Sequence, residues 1–435
     1  MFRLLLLVLM ALDVAEVSAA DLLTVYQQAL ESDPSLKNAA LKVEMGGAQK
    51  KQAIGEMLPQ VTANANWSEN EQKSIGLSGS ATSNYPGTRY TVSVSQPLID
   101  FAKFWNWRRA TEVEHQYESE NLEAQHALLQ NVVERYFEVL AAEDQLSLFQ
   151  KELSATGTRL EQIKTLFDRQ LVEITELYDV EARLDQLSAS VIEAETLLNK
   201  AKESLKELTN QTPDGLFRLR EDLEFSVLDG SLEDWIAVAK SENPMLAAQL
   251  SAIAAADDEV DMQKSRHLPV VDLQFNYFDS DTGFQSSRTP KTQVQVAAIN
   301  LTVPIFNGGV TLQRTYEAQH RLAMVKNENE AKVRALIKET SDAFLSSNAG
   351  VKRITASQRA LLSAQKSLEA KEKSFRYGLE TISEVLDAQQ TEFKTKRELS
   401  LAKYNFIKNR VRFLRAIGLI SIENLQEING WLLPV

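Results

Sequence analysis

Two long stretches of the 435-residue chain contain no proline: residues 98–212 and residues 305–433. Both are rich in Ala, Leu, Glu, Lys and Gln, which favour the α-helix. Residues 177–208 also place apolar side chains at alternating spacings of three and four, the pattern of a coiled coil. Each stretch is interrupted near its middle, at 169–173 and at 377–381. The pattern predicts two antiparallel helical hairpins with arms of roughly 65 residues, or about 100 Å, which are too long for a globular domain.

Four short motifs occur twice in the same order, at a nearly constant offset of roughly 208 residues. The copies include Pro34 and Pro244, Pro59 and Pro269, Pro97 and Pro304, and Phe167 and Phe375. This spacing indicates an internal duplication. We therefore expect a first repeat at residues 21–212, a linker at 213–230 and a second repeat at 231–435. Each repeat is predicted to contain an initial helix, a β-hairpin and a long helical hairpin, at about 100–212 and about 308–420, and the second repeat to end in a C-terminal equatorial segment.

Each predicted β-hairpin alternates between apolar and polar side chains. The apolar positions of the leading strands are Val61, Ala63, Ala65 and Trp67 in the first repeat and Val271, Leu273, Phe275 and Tyr277 in the second. The returning strands repeat the alternation, and a period of two predicts strands with one apolar face. We expect hairpins at about 59–99 and 269–305, with polar loops at 69–87 and 279–291. Strands of ~10 residues suit a tilted crossing of a bilayer.

Two observations favour membrane strands over a soluble β-sandwich. The polar face carries small hydroxyl and amide side chains, as in a wet lumen, and aromatic residues crowd the strand ends, as at a membrane interface. These aromatic residues are Trp67, Tyr85, Tyr90, Phe104, Trp105, Trp107, Tyr277 and Phe278. Four strands cannot close a barrel, since the smallest need ~8, and open sheet edges do not survive in lipid. The chain must therefore oligomerise, and strand arithmetic alone permits a dimer or a trimer.

Residues 1–20 have the features of a secretory signal peptide. Arg3 precedes a short apolar run, and Ser18, Ala19 and Ala20 supply small residues for cleavage, which we expect near Ala19 or Ala20. The alternative is a membrane-spanning helix, but a span needs ~20 apolar residues and this run is much shorter. The sequence therefore predicts an exported protein.

Composition and motifs argue against two large functional classes. Lys and Arg number 47 against 60 Asp and Glu, and the net charge of −13 disfavours nucleic-acid binding. The absence of cysteine excludes disulfides, thiolate metal sites and a cysteine nucleophile. The four histidines show no metal-ligand spacing, and neither a phosphate-binding glycine loop nor a nucleophile elbow is present. We therefore predict that the chain is not an enzyme and needs no cofactor.

The ordered motifs resemble those of the TolC-type outer-membrane factors of Gram-negative bacteria. They include Asp33-Pro34, Leu58-Pro59-Gln60, Gln96-Pro97-Leu98-Ile99-Asp100, Pro304-Ile305-Phe306-Asn307-Gly308-Gly309 and Tyr377-Gly378-Leu379. The resemblance implies an α+β membrane protein with a duplicated protomer. Its four membrane strands would contribute to a trimeric, twelve-stranded barrel, and its antiparallel coiled-coil hairpins would form a periplasmic tunnel.

The same resemblance implies an exit duct in the outer membrane, in contact with its lipid. The homotrimer would couple to a periplasmic adaptor protein and to an inner-membrane transporter of the ABC or RND type, for multidrug efflux or type I protein secretion. The alternative function is a soluble periplasmic coiled-coil tether or a structural protein without a channel. A tether leaves the alternating strands unexplained, and a general porin has no use for hairpins of ~100 Å.

The resemblance also assigns roles to residues at the interrupted middles of the helical stretches. Glu384 and Asp387 match an acidic ring at the periplasmic entrance, and their spacing of three places them on one helix face. Three copies would bring six carboxylates towards one axis and favour cations. A solvated helix face is the alternative interpretation.

Four further positions, Thr175, Glu176, Phe375 and Glu380, match residues that link neighbouring coils and hold the tunnel closed. Phe375 stands where the family has a tyrosine, so a hydroxyl donor is lost. Glu380 stands where it has an arginine, so an ion pair with Glu176 is impossible. The closed state must be held in another way, for which Arg169 and Arg376 are candidates.

The adaptor is expected to dock on the turns of the two hairpins. The matching residues are Arg169, Gln170, Leu171, Gly378 and Leu379. Gly378 suits a turn that needs a positive φ, whereas Gln170 stands where the family has glycine.

Overall fold

A computed structural model of the chain describes residues 20–77, 79–212, 215–281 and 291–434. Apart from Ala20, the predicted signal peptide lies outside these ranges. The first half contains α1 (Leu22–Ser32), α2 (Pro34–Gly55), β1 (Gln60–Gly76), β2 (Gly79–Ile99), α3 (Phe101–Asp168), α4 (Ile174–Thr209) and β3 (Arg218–Leu219). The second half contains α5 (Leu232–Glu242), α6 (Pro244–Ser265), β4 (Val270–Asp281), β5 (Thr292–Thr302), α7 (Val310–Arg376), α8 (Ile382–Ala416), α9 (Ile422–Asn429) and β6 (Leu432–Leu433). The order of two helices, two strands and two long helices occurs twice, which confirms the duplication. Each repeat begins with two helices and not with the single helix predicted, because Pro34 and Pro244 force the preceding residue into an extended conformation.

The chain divides by its internal contacts into two compact units. The helical unit comprises the described residues of 1–37, 124–243 and 335–435, and the strand unit comprises 38–123 and 244–334. Each unit takes corresponding pieces from both repeats, and the boundaries of the repeats at 213–230 stay a prediction. Among the described residues, no helix combines the length and the hydropathy that a membrane crossing requires.

The strand unit contains one antiparallel sheet in the order β1-β2-β4-β5. The central pair, β2 and β4, joins the two repeats: Val92 lies opposite Ala63 on one side and Tyr277 on the other. Residues directly opposite each other share a face. The register therefore builds one apolar face from Val61, Ala63, Ala65 and Trp67 of β1, Tyr90, Val92 and Val94 of β2, Leu273, Phe275 and Tyr277 of β4, and Ala297, Ile299 and Leu301 of β5. This confirms the four predicted strands.

The polar loop predicted at 69–87 is wrong. β1 and β2 continue their pairing through this segment until Gly76 lies opposite Gly79, whose φ of 121° only glycine adopts easily. Ladder hydrogen bonds come from the backbone, so a strand needs no apolar face, and Thr82, Tyr85 and Thr88 favour extended backbone. In the second repeat β4 ends at Asp281 and β5 begins at Thr292; most of the loop predicted at 279–291 lies outside the described residues.

Tyr85 and Phe278 also depart from the prediction that placed them in the aromatic girdle. Tyr85 lies opposite Asn70 of β1, on the face that carries the polar residues. Phe278 lies on the same face, opposite Thr91 of β2 and Val294 of β5. Its neighbour Tyr277 is on the apolar face, since successive side chains of a strand point to opposite sides.

The core of the helical unit surrounds Tyr136 and Phe137 of α3, which are fully buried. Burial raises the pKa of the Tyr136 phenol, whose hydroxyl donates to the Phe217 carbonyl at 3.0 Å. Segments from near both ends of the described residues also meet here. The carboxylate of Asp21 caps α1 by accepting from the Thr24 amide at 2.8 Å and from the Asn429 side chain at 2.9 Å, which ties α1 to α9.

Candidate functional site at the hairpin turns

The two helical hairpins turn with the same backbone geometry. In each turn, two amides donate to carbonyls of the last helical turn at 2.8–3.0 Å, and one residue adopts a left-handed conformation. This is the Schellman arrangement, in which glycine is usual at the left-handed position. Gly378 occupies it in the second turn with φ of 72°, and Gln170 occupies it in the first with φ of 58°. The missing glycine therefore does not change the conformation of the first turn.

The turns present apolar side chains to solvent. Leu171 and Leu379, which directly follow the left-handed residues, are both exposed, as is Tyr377. Arg169 beside them is exposed too. Leu171, Tyr377 and Leu379 thus keep most of their apolar surface in contact with solvent.

An open cleft of about 1440 Å³ lies between the two hairpins near their turns. Its lining includes the predicted gate residues Glu176, Phe375 and Glu380, the predicted ring residue Glu384, and the predicted docking residues Leu171, Gly378 and Leu379. Thr175 and Asp387 are not part of that lining. The structure thus brings three of the four predicted gate residues into one place, where the carboxylates of Glu176, Glu372, Glu380 and Glu384 share the lining with Phe375.

An ion pair that the sequence did not predict crosses this cleft. Nη2 of Arg159 on α3 lies 2.6 Å from Oε1 of Glu372 on α7, and the two side chains are only 15% and 33% exposed. Arg169 and Arg376, the candidates from the sequence, form no such link between the hairpins. Arg376 donates to the Glu372 carbonyl of its own helix at 3.4 Å. Neither Arg376 nor Arg169 forms an ion pair with any other described residue.

The predicted gate residue Glu176 has an environment that disfavours its charged form. Its Oε2 atom is buried and has no hydrogen-bond partner among the described residues. Burial raises the pKa of this carboxyl, and the negative charges of Glu173 and Asp179 raise it further. The protonated form is therefore more stable here than in solution.

Glu384 and Asp387 both lie on the exposed side of α8. The opposite side of the same helix is buried through Ile382 and Val385, which join a small apolar cluster near the turn. The hydroxyl of Thr381 accepts from the Glu384 amide at 3.4 Å, at the start of the helix. The carboxylates of Glu384 and Asp387 thus lie on the exposed face of a helix whose other face is packed. Neither forms an ion pair with a described residue.

Further from the turns, buried polar contacts fasten α8 to the first hairpin. Glu152 of α3 is 1% exposed and contacts Arg397 of α8 at 2.8 Å and Arg183 of α4 at 3.4 Å. Asp144 accepts from the Tyr404 hydroxyl at 2.7 Å, and burial together with this carboxylate raises the pKa of Tyr404. The partners Arg183, Arg397 and Tyr404 lie in distant segments of the chain, so no local sequence pattern predicted these contacts.

Within residues 20–77, 79–212, 215–281 and 291–434, no group of three or more His, Cys, Asp or Glu side chains is placed to hold a metal ion.

Known proteins share the sequence pattern and the fold of this chain. The model of the outer membrane efflux protein family matches residues 25–211 and 235–419, one segment in each repeat. The outer membrane protein TolC of Vibrio cholerae is 29% identical over 95% of this chain and 94% of its own length. The alkaline protease secretion protein AprF of Pseudomonas aeruginosa is 26% identical over 94% and 87%. The crystal structure of the Campylobacter jejuni CmeC outer membrane channel superposes with a TM-score of 0.82 at 17% identity, over 95% of this chain and 90% of that one.

Proposed function

The chain belongs to the outer membrane efflux protein family, and we propose from this membership that three copies form the exit duct of a multicomponent export system. The protein is an outer-membrane channel for efflux or secretion, with its helical part in the periplasm, and it is not an enzyme. The family, the fold and the location predicted from the sequence are confirmed.

The observation that carries the proposal is the continuous apolar face of a sheet with two open edges. β1 and β5 are the outer strands of the sheet, and each leaves a row of backbone groups unpaired. A sheet cannot enter lipid with unpaired edges. Pairing β5 of one copy with β1 of the next removes every edge when the ring closes. The family resemblance favours three copies, which gives twelve strands.

The hairpin turns are the proposed docking surface for a periplasmic adaptor protein. Leu171 and Leu379 are exposed at equivalent positions of two turns with the same backbone geometry. An adaptor with a repeated apolar motif can therefore meet both turns in the same way. Arg169, Gln170 and Gly378 complete this surface, and the adaptor would link it to an inner-membrane transporter of the ABC or RND type.

The closed entrance is proposed to rest on the ion pair of Arg159 with Glu372. Phe375 and Glu380 cannot form the links that the family resemblance implies, whereas this pair connects α3 to α7 in the same cleft. Three copies of Glu384 and Asp387 would ring the axis with six carboxylates. Crowded carboxylates attract cations, so this ring is expected to select them.

Planar-bilayer recordings of the detergent-purified protein test the duct and the ring together. The wild type is expected to give discrete, cation-selective conductance steps that a trivalent cation blocks from the periplasmic side. Replacing Glu384→Ala together with Asp387→Ala should reduce the selectivity and the block. The control is Glu193→Ala with Glu195→Ala, which removes the same charge from an exposed part of α4.

The outcomes separate the two claims. If the protein never inserts, the duct is refuted and the soluble tether becomes the better account. If it inserts but the double variant keeps wild-type selectivity, the duct stands and the acidic ring is refuted. Glu176 and Glu380 then become the next pair to test.

A further inference from the structure

One apolar patch interrupts the polar face of the sheet. Phe278 of β4 lies directly opposite Val294 of β5, and Val296 lies two residues further along the same strand. Opposed residues share a face with Cβ atoms about 5 Å apart, and residues two apart on a strand share a face as well. The three side chains therefore form a contiguous patch, and each is more than a third exposed.

The surrounding polar face shows how unusual this patch is. Its other positions include Thr62, Asn64, Asn66 and Ser68 of β1, Thr91, Ser93 and Ser95 of β2, and Asp272, Gln274 and Asn276 of β4. If this face lines an aqueous duct, apolar side chains on it are in contact with water. Such exposure is unfavourable, and it marks a contact surface when the apolar groups are contiguous.

The patch lies near the ends of β4 and β5 that are remote from the helices, and β1 and β2 continue past this level to Gly76 and Gly79. β2 runs into α3 at Ile99 and β4 starts after α6, whereas Phe278 is close to the opposite end of β4. Tyr277 and the edge-to-face ring pair of Trp67 with Tyr90, 6.2 Å between centroids, are at the same level on the apolar face. In a channel with periplasmic helices, this level corresponds to the outer membrane interface.

We propose that Phe278, Val294 and Val296 form a binding site on the inner wall of the duct, near its outer mouth, for apolar groups of the exported molecule. The site rests on the proposed function, because it needs the polar face to line a pore. A second copy of the chain does not cover it: the neighbouring strand would be β1, whose polar face offers amides and hydroxyls. A twelve-stranded barrel is wider than the smallest, side-chain-filled barrels of ~8 strands, so the patch leaves an aqueous passage beside it.

The absence of cysteine makes the face assignment directly testable. Phe278→Cys and its matched control Phe275→Cys, on the opposite face, are recorded in planar bilayers while a charged, membrane-impermeant thiol reagent is added to the extracellular chamber. We expect the reagent to change the conductance of Phe278→Cys and to leave Phe275→Cys unchanged. The reverse result, or no reaction at Phe278→Cys, overturns the site. The duct then stands, because the variants have still formed a channel. Failure of both variants and of the wild type to insert refutes the duct.

Binding is tested with tetraphenylphosphonium, an apolar cation, against tetramethylammonium, a small cation of equal charge. Both are added from the extracellular side, in the Glu384→Ala, Asp387→Ala background so that the entrance carboxylates do not contribute. Losing an apolar contact of about 60 Å² weakens binding roughly tenfold. We therefore expect Phe278→Ser with Val294→Thr and Val296→Thr to raise the half-blocking concentration of tetraphenylphosphonium about tenfold.

The same triple variant should leave the unitary conductance and the effect of tetramethylammonium unchanged. Asn276→Ser, on the same face of β4, is the control and should leave both blockers unaffected. A triple variant that tetraphenylphosphonium blocks as strongly as it blocks its parent contradicts the proposal.

Discussion

Arg159→Ala is expected to favour the open entrance. The Arg159–Glu372 contact is short, at 2.6 Å, and both groups are at most a third exposed. Exposed ion pairs stabilise a structure by up to about 1 kcal/mol, and charge-assisted hydrogen bonds by about 1.5–3 kcal/mol. The Arg159–Glu372 pair is intermediate in exposure, so we take its contribution to the closed state as about 1–2 kcal/mol for each copy. If three copies open together, the closed state loses about 3–6 kcal/mol. At about 1.4 kcal/mol per factor of ten, the equilibrium shifts by about 10²–10⁴ towards the open state.

Single-channel recording measures this shift as time spent at a larger conductance. The charge swap Arg159→Glu with Glu372→Arg restores opposite charges and should recover the wild-type record. The control is Lys373→Ala, which removes a pair of similar length with Glu369 one position along the same helix, where both side chains are more than 60% exposed. If Arg159→Ala and Lys373→Ala give the same record as the wild type, the pair does not hold the entrance closed.

Three further predictions concern the stability of the helical unit. Glu152→Ala should destabilise it by about 3 kcal/mol in denaturant unfolding, because two partly buried arginines lose the buried carboxylate that they share. Glu152→Gln should cost less, and equal effects of the two variants would contradict this. Burial and acidic neighbours raise the pKa of Glu176 above its usual 4.5, so its protonation stabilises the folded turn at low pH and that gain is lost as pH rises through the raised pKa. Hydrogen exchange of the turn amides should therefore slow on acidification, after correction for intrinsic rates, and Glu176→Gln should remove that dependence. Gln170 has a positive φ that glycine adopts more easily, so Gln170→Gly should stabilise the first turn by about 0.5–1 kcal/mol. Gly378→Ala should destabilise the second turn by a similar amount, and hydrogen exchange of the turn amides measures both. A destabilising effect of Gln170→Gly would show that the left-handed Gln170 carries no backbone strain.

Local sequence patterns predicted the helices and the apolar face of the strands. Proline-free runs permit helices of this length, and an alternation of period two fixes which side of a strand is apolar. The extension of β1 and β2 beyond Ser68 was missed because backbone ladder bonds leave no periodic signal in a polar segment. The left-handed conformation of Gln170 was not predicted for a similar reason. Two backbone hydrogen bonds hold this conformation, although a residue with a side chain does not favour it.

The missed contacts all depend on how distant segments are brought together. Arg159 and Glu372 are 213 residues apart in the chain, and nothing local to either residue selects the other. The apolar patch was missed because the alternation of β5 changes phase between Val296 and Ala297. Only the register with β4 shows that Val294 joins Phe278 on the polar face.

The claim that a closed ring of copies carries the strands into the membrane has one direct test. Native mass spectrometry of the protein, extracted from outer membranes in detergent, should show a single species with three times the protomer mass. The protein should remain in the membrane fraction without detergent. A monomer that is soluble without detergent would contradict the account, because a four-stranded sheet with open edges cannot cross lipid.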